Sequence, residues 1–453
     1  MRKKTRLLLA MTALVLTACF QPGLVAQTTT DNAAAASSDV ANRVDQLEKE
    51  VARLNQEIAA LKQSAPAAPA AAVPVASAAA PAAPAATPAA DPMSGISSVI
   101  GGAAVTGLVD GYYAYNVNQP ANHSSGLRLF DNSTNTFALN LIELGLVKTP
   151  DANSRLGYNL TFGFGNAMNV VNSTDPSFLQ YLKESYLSYL VPVGKGLQVD
   201  FGKFVTPAGA EVIESNANWN YSRSLLFNYA IPFYHFGLRA KYTFNDKYSL
   251  TGYVVNGWNN VVQSNTEGKT GGLSFAWTPN KKVSLTETWL GGPGAVPVEN
   301  DQWRNLSDTV LVYTPTAKLS LMANGDYGRV EGLTGYSRSV EWSGVAGYVK
   351  YQFSANSAVA TRYEYYDDPD GYTTGTGAFQ TVAGSAVPAF LPLGQHIQEV
   401  TGTLERRIAQ HLLARLEFRH DLATQPVFLK GSSPVLDQST VAGGLIFVLE
   451  PNR

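Results

Sequence analysis

Residues 412–421 read Leu-Leu-Ala-Arg-Leu-Glu-Phe-Arg-His-Asp. Successive side chains of an extended chain point to opposite faces. Leu412, Ala414, Leu416 and Phe418 therefore share one face, and Leu413, Arg415, Glu417, Arg419 and Asp421 share the other. The same division recurs upstream. Leu156, Tyr158, Leu160, Phe162 and Phe164 oppose Arg155, Gly157, Asn159, Thr161 and Gly163, and Phe236, Leu238, Ala240, Tyr242 and Phe244 oppose Gly237, Arg239, Lys241 and Thr243. One apolar and one charged face, in segments near ten residues, is what a strand needs when lipid lies on one side and water on the other. Segments 136–149 and 283–290 are less regular, because each places a Glu among apolar neighbours.

The connections carry more information than any one strand. Short links are expected at Thr149–Ser154, Pro192–Gly196, Asn245–Lys247, Pro279–Lys282, Pro315–Lys318, Ser354–Ser357 and Arg407–His411. Longer ones lie between them, near 117–135, 165–178, 206–235, 257–269, 291–303, 330–340, 368–395 and 422–437. Strict alternation of short and long links is the asymmetry of periplasmic turns and external loops in a membrane barrel. The sequence thus predicts an all-β protein, a transmembrane antiparallel barrel of about sixteen strands over 103–453, with both ends on the short-link side. A barrel of that size leaves an aqueous channel. Aromatics near the expected strand ends, among them Tyr112, Tyr113, Tyr186, Tyr189, Trp289, Trp303 and Trp342, fit interfacial girdles or ordinary strand propensity.

Composition agrees. Charged residues make up 15% of 453 residues, against about 25% in soluble proteins. The net charge of -2 gives no basic surface for nucleic acid. A single cysteine, Cys19, excludes an internal disulfide and a thiolate metal cluster. After residue 20 no stretch reaches the roughly 18–20 apolar residues of a spanning helix, so only a closed barrel could cross a bilayer.

Three segments precede the barrel. Residues 1–18 carry Arg2, Lys3, Lys4 and Arg6 before the short apolar run Leu7–Leu16, the form of an export signal. Leu16-Thr17-Ala18-Cys19 resembles a lipobox, which would lipidate Cys19; cleavage after Ala26 would discard it instead. In 39–63, Val44, Val51 and Ile58 take heptad position a, and Val40, Leu47, Leu54 and Leu61 take d. That repeat predicts a self-associating coiled coil, with β-branched a and Leu d residues favouring two strands in peptides. Residues 64–102 begin as an Ala/Pro-rich, extended spacer.

The phrases DFGKFVTPAGAEVIES (200–215), NWNYSRSLLF (218–227) and AIPFYHFGLRA (230–240) resemble the OmpL-like β-barrel porin family of bacteria. The resemblance implies an outer-membrane channel for passive diffusion of small hydrophilic solutes and ions, without cofactor, and an assembly that is usually trimeric. By analogy with sixteen-stranded porins, the third long link would fold inward and narrow the pore. Its charges are Glu211, Glu214 and Arg223. The lumen wall would carry Arg239, Lys241, Arg362, Glu364, Arg415, Glu417, Arg419 and Asp421, with Asp110, Glu184 and Asp200 on neighbouring strands. Together they would set a transverse field, or they would pair with one another and brace the wall. One feature departs from many outer-membrane barrels: the chain ends Glu-Pro-Asn-Arg rather than on an aromatic, and Phe447 is the nearest.

Other readings remain at this level. His123, His235, His396, His411 and His420 show no metal-ligand spacing and adjoin no nucleophile turn, so the sequence gives no sign of an enzyme or a metal site. The coiled coil and spacer could instead tether the barrel to peptidoglycan. A channel specific for sugars or anions is the third reading.

Overall fold

The computed structural model describes residues 102–449 except 262–267, 294–301, 333–337, 376, 383–384 and 393, together with Lys49 and Arg53, both helical and exposed. The export signal, Cys19, the rest of the coiled-coil segment, the spacer and residues 450–453 lie outside the described residues.

Sixteen strands close into one antiparallel barrel. They are β1 (Ala104–Asn116), β2 (Thr136–Lys148), β3 (Leu156–Phe164), β4 (Leu182–Val191), β5 (Leu197–Val205), β6 (Tyr234–Asn245), β7 (Tyr248–Val255), β8 (Thr270–Asn280), β9 (Val283–Pro293), β10 (Trp303–Tyr313), β11 (Leu319–Val330), β12 (Val340–Ser354), β13 (Ser357–Asp368), β14 (Gln395–Ala409), β15 (Leu412–Ala423) and β16 (Asp437–Leu449). Each pairs with the next in sequence, and β1 closes on β16 from Gly107↔Leu449 to Asn116↔Thr440. Closure pairs both edges of the sheet, so no ladder groups are left to face lipid.

Burial alternates with period two and runs opposite to that of a soluble protein. On β13, Val359, Thr361 and Tyr363 are exposed while Ala360, Arg362 and Glu364 are buried. Leu187, Leu238, Val345, Leu416 and Leu445 are also exposed. The outer surface is apolar and the inside is polar, as a lipid-facing wall requires. Tyr113, Tyr189, Trp289 and Trp303 are outward, but Tyr112 and Trp342 are buried within the barrel and Arg239 stacks over the inward ring of Tyr186. Those three do not belong to a girdle; the neighbouring inner charges and the inner segment described below claim them.

The short links are built by side chains that accept their own backbone amides. Asn245 Oδ1 accepts from the amides of Lys247 and Tyr248, Asp151 Oδ1 from those of Asn153 and Ser154, and Thr316 Oγ1 from those of Lys318 and Leu319. At 192–196 the turn takes positive φ at Gly194 and Gly196, where a Cβ is disfavoured. The long links sit at the other rim. They include helix α1 (Asn166–Val171) and a hairpin pairing Phe428–Lys430 with Ser433–Val435. Both barrel termini emerge at the short-link rim.

The two strands with irregular sequence pattern have separate explanations. Glu143 points inward and takes Lys183 Nζ at 2.7 Å. Glu287 is on the outer face, opposite Thr309 in the ladder, and accepts the hydroxyls of Ser307 and Thr309 at 2.7 and 2.5 Å.

Candidate functional site

The link between β5 and β6 spans 206–233, slightly less than the expected 206–235, because Tyr234 and His235 already pair with Val205 and Phe204 in the ladder. Its bonding partners are spread around the barrel. Ser215 Oγ and the Tyr221 hydroxyl donate to Asp110 on β1 at 2.8 and 2.9 Å, and Lys183 on β4 pairs with Glu214. The Ala210 amide donates to Asn324 Oδ1 on β11 at 3.3 Å, and Trp342 Nε1 on β12 to the Ala230 carbonyl at 3.1 Å. One segment can reach all of these inward-facing groups only from inside the barrel.

Its tightest attachment is to β13–β15, where charged wall residues serve its backbone. Glu364 accepts from the amides of Leu226 and Leu225 at 2.7 and 2.6 Å, where the π-helical turn Leu226–Ala230 begins. Glu417 takes the amides of Tyr221 and Ser222 at 2.6 and 3.0 Å. Arg415 donates to the carbonyls of Ser215, Asn218 and Asn220 and pairs with Glu405 at 2.6 Å. Arg419 donates to the Arg223 carbonyl at 2.7 Å and to Asp421 at 2.7 Å. Arg362 joins Glu399, Glu211 and the Ser222 carbonyl. Hydrogen bonds to charged groups contribute about 1.5–3 kcal/mol each. A segment with this many is held in one place.

Arg223 itself donates to the carbonyls of Tyr221 and Ile213 and lies over the Phe130 ring. Phe130 belongs to the 117–135 link, which also turns inward and packs on Phe227 and Phe233. Arg128 in that link pairs with Asp131 and, at 3.5 Å, with Asp421.

The wall across from this anchorage is different. Arg239 pairs with Asp200 at 2.6 Å and stacks over Tyr186 and Phe204. Gln198, Lys241, Thr251, Ser274 and Thr288 follow one another across β5–β9 in a single register row. Among the described residues, none of these side chains bonds to the inner segment, and Lys241 has no carboxylate partner. Glu184 is held by Asn159 Nδ2 and the Val205 amide.

The sequence-named residues thus fall into two groups. Glu211, Arg223, Arg362, Glu364, Arg415, Glu417, Arg419 and Asp421 come together as one buried network. Arg239 and Lys241 stand apart on the uncovered wall, and Glu214 sits at the segment's β4 side. Alternation did not single out Lys183, Asn324, Asp308, Asp326, Glu399 or Glu405. Their signal was inward phase beside residues of apolar character, because the inner segment buries apolar wall positions too.

Residues 102–449 match the model of the family described as putative beta-barrel porin-2, OmpL-like. The chain belongs to that porin family. Its barrel is an outer-membrane channel fold. The chain is similar to an anion-selective porin from Comamonas acidovorans at 10% identity, covering 77% of this chain and 99% of that one, with a TM-score of 0.50. It is also similar to OprB of Pseudomonas putida at 12% identity, covering 77% and 94%, with a TM-score of 0.50. These likenesses are of fold. Among proteins of curated function, none matches this porin in sequence.

Proposed function

We propose that this porin is a passive diffusion channel for small hydrophilic solutes and ions whose narrowest point lies between the 206–233 segment and the wall of β6–β9. The observation that carries this reading is that the segment bonds to β1, β4 and β11–β15 but, among the described residues, to none of the Gln198–Thr288 row of β5–β9. Glu211 is spent on Arg362 of β13 and Glu214 on Lys183 of β4, and β13–β15 serve the segment's backbone, while the opposite wall keeps hydroxyls, Arg239 and Lys241 uncovered. In this reading the buried charges set the position of the constriction, and the uncovered wall meets the solute. The short-link rim and both barrel ends face the periplasm, and no catalytic step is involved. Self-association through 39–63 rests on the heptad pattern, which favours a dimer, while a trimer is what the porin family suggests; the second role of a tether to peptidoglycan rests on the coiled coil and spacer.

Planar-bilayer recording of the purified, heat-modifiable protein tests this. Ohmic steps in multiples of a unit are expected. Folded protein without conductance would refute the open channel and leave the tether.

A further inference from the structure

Asp308 on β10 and Asp326 on β11 are directly opposed across the ladder, and both point inward with exposures of 0% and 4%. Asp308 Oδ1 and both carboxyl oxygens of Asp326 are buried and receive no hydrogen from the rest of the protein. Asp308 Oδ2 takes Asn324 Nδ2 at 2.7 Å. No lysine, arginine or histidine therefore neutralises the pair among the described residues. The two carboxyl groups face each other in register, with Asn324 the neutral partner of one of them. Two acids in one dry site cannot both stay charged.

The base of the inner segment hangs from this pair. The Ala210 amide donates to Asn324 Oδ1, and the same Asn324 amide group holds Asp308. The charges packed around the pair offer no relief. Glu364 on β13 is occupied by the amides of Leu225 and Leu226. Glu287 on β9 is negative and faces outward against Ser307 and Thr309. Glu211 of the segment is committed to Arg362, which also serves Glu399. On β12, Gly344 lies opposite Asp326 and brings no charge.

We propose that Asp308 and Asp326 form a proton-binding site that pins the base of the 206–233 segment to the wall. When the proton leaves, two adjacent negative charges remain with no counter-charge and drive Asp308 and Asp326 apart, and Asn324, which joins Asp308 to the Ala210 amide, moves with them. The base of the segment then moves toward the channel it borders while the bonds to β13–β15 hold the rest, so brief closures follow. The gating consequence rests on the constriction reading above; the proton site does not.

Two measurements separate these parts. The infrared C=O stretch of protonated carboxyl in the folded protein should lose intensity in Asp326→Asn and in Asp308→Asn, either of which serves if the other fails to fold. In single-channel records over a series of rising pH, brief closures should increase about tenfold per pH unit as the proton is lost. Asp326→Asn, which keeps an amide donor beside Asp308, should conduct steadily across that span. A carboxyl band unchanged in both variants would overturn the site. Steady wild-type conductance while the band disappears would overturn the pinning. Alkaline closures abolished by added calcium ion would show that the pair takes a cation rather than a proton, and would overturn the proposal. A band that behaves as expected in a protein that never conducts would support the site and reject the channel reading.

Discussion

Arg362 Nη1 lies 2.7 Å from Glu211 Oε1, and neither side chain is more than 1% exposed. A wall cation and a carboxylate of the inner segment have been removed from water together, with Glu399 on the other side of the guanidinium at 2.5 Å. Such a group gives little net stability by itself, yet removing one member is costly because the others remain charged and dry. The role of Arg362 is positional.

Arg362→Met leaves Glu211 and Glu399 without a cation and should cost about 3–5 kcal/mol. The expected readout is a lower temperature for conversion of the folded to the unfolded band on a gel, with noisier conductance from the protein that remains folded. Adding Glu211→Gln and Glu399→Gln should recover most of the loss. Full stability of the single variant would show that Arg362 does not hold the segment.

Adjacent glycines on β16 give a sharper contrast. A Cβ on Gly444 would lie 2.6 Å from the Tyr221 ring, whereas a Cβ on Gly443 meets nothing within 4 Å. Tyr221 is buried and bonds Asp110, so Gly444→Val should displace the segment and disturb conductance. Gly443→Ala, on the outer face, should be neutral or stabilising by roughly 0.5–1 kcal/mol. Equal behaviour of the two variants would mean that Tyr221 does not seat the segment.

The contrast also shows what could be read from the chain alone. Closure, the strand number and the alternation of links follow from period-two patterning and turn residues, so they were legible. The three turn-builders Asn245, Asp151 and Thr316 mark short links by local chemistry. The inward phase of Arg362, Glu364, Arg415 and Glu417 was legible for the same reason. Their partners were not, because backbone amides and carbonyls of a segment 138 to 200 residues away leave no periodic trace. Asp308 and Asp326 were missed because Leu306, Val310, Met322 and Val330 share their inward phase and mimic an apolar face.

Acid should act on the 117–135 link only at low pH. Burial disfavours the charged form of Asp131, but the Arg128 guanidinium beside it more than offsets this and holds the carboxyl below its usual range. A carboxyl lowered by folding stabilises the fold above its unfolded value and loses that contribution as pH falls through the folded value. At about pH 4, near the ordinary carboxylate value, the wild-type link should still resist an acid-active protease. Asp131→Asn should be cut within 117–135 under the same conditions. Cleavage of both would show that the ion pair does not close the link.

Lys241 is the test of which wall the solute meets. Its neighbours in register are Gln198 and Thr251, and Arg239 beside it is already offset by Asp200. The carboxylates of the inner segment are likewise paired, Glu211 with Arg362 on β13 and Glu214 with Lys183 on β4. Among the described residues of this row, Lys241 is thus the charge without a carboxylate partner, and Lys241→Glu changes that wall by two units. A unit charge acts on an ion about 10 Å away with about 0.4 kcal/mol in water, so the cation-to-anion permeability ratio should rise on the order of tenfold at low salt. The effect should shrink as salt shortens the screening length. Lys281→Glu, on an exposed turn, serves as the control and should leave the reversal potential in place. A change with Lys281 but not with Lys241 would place the narrow passage away from β6–β9 and move the solute path to another part of the wall.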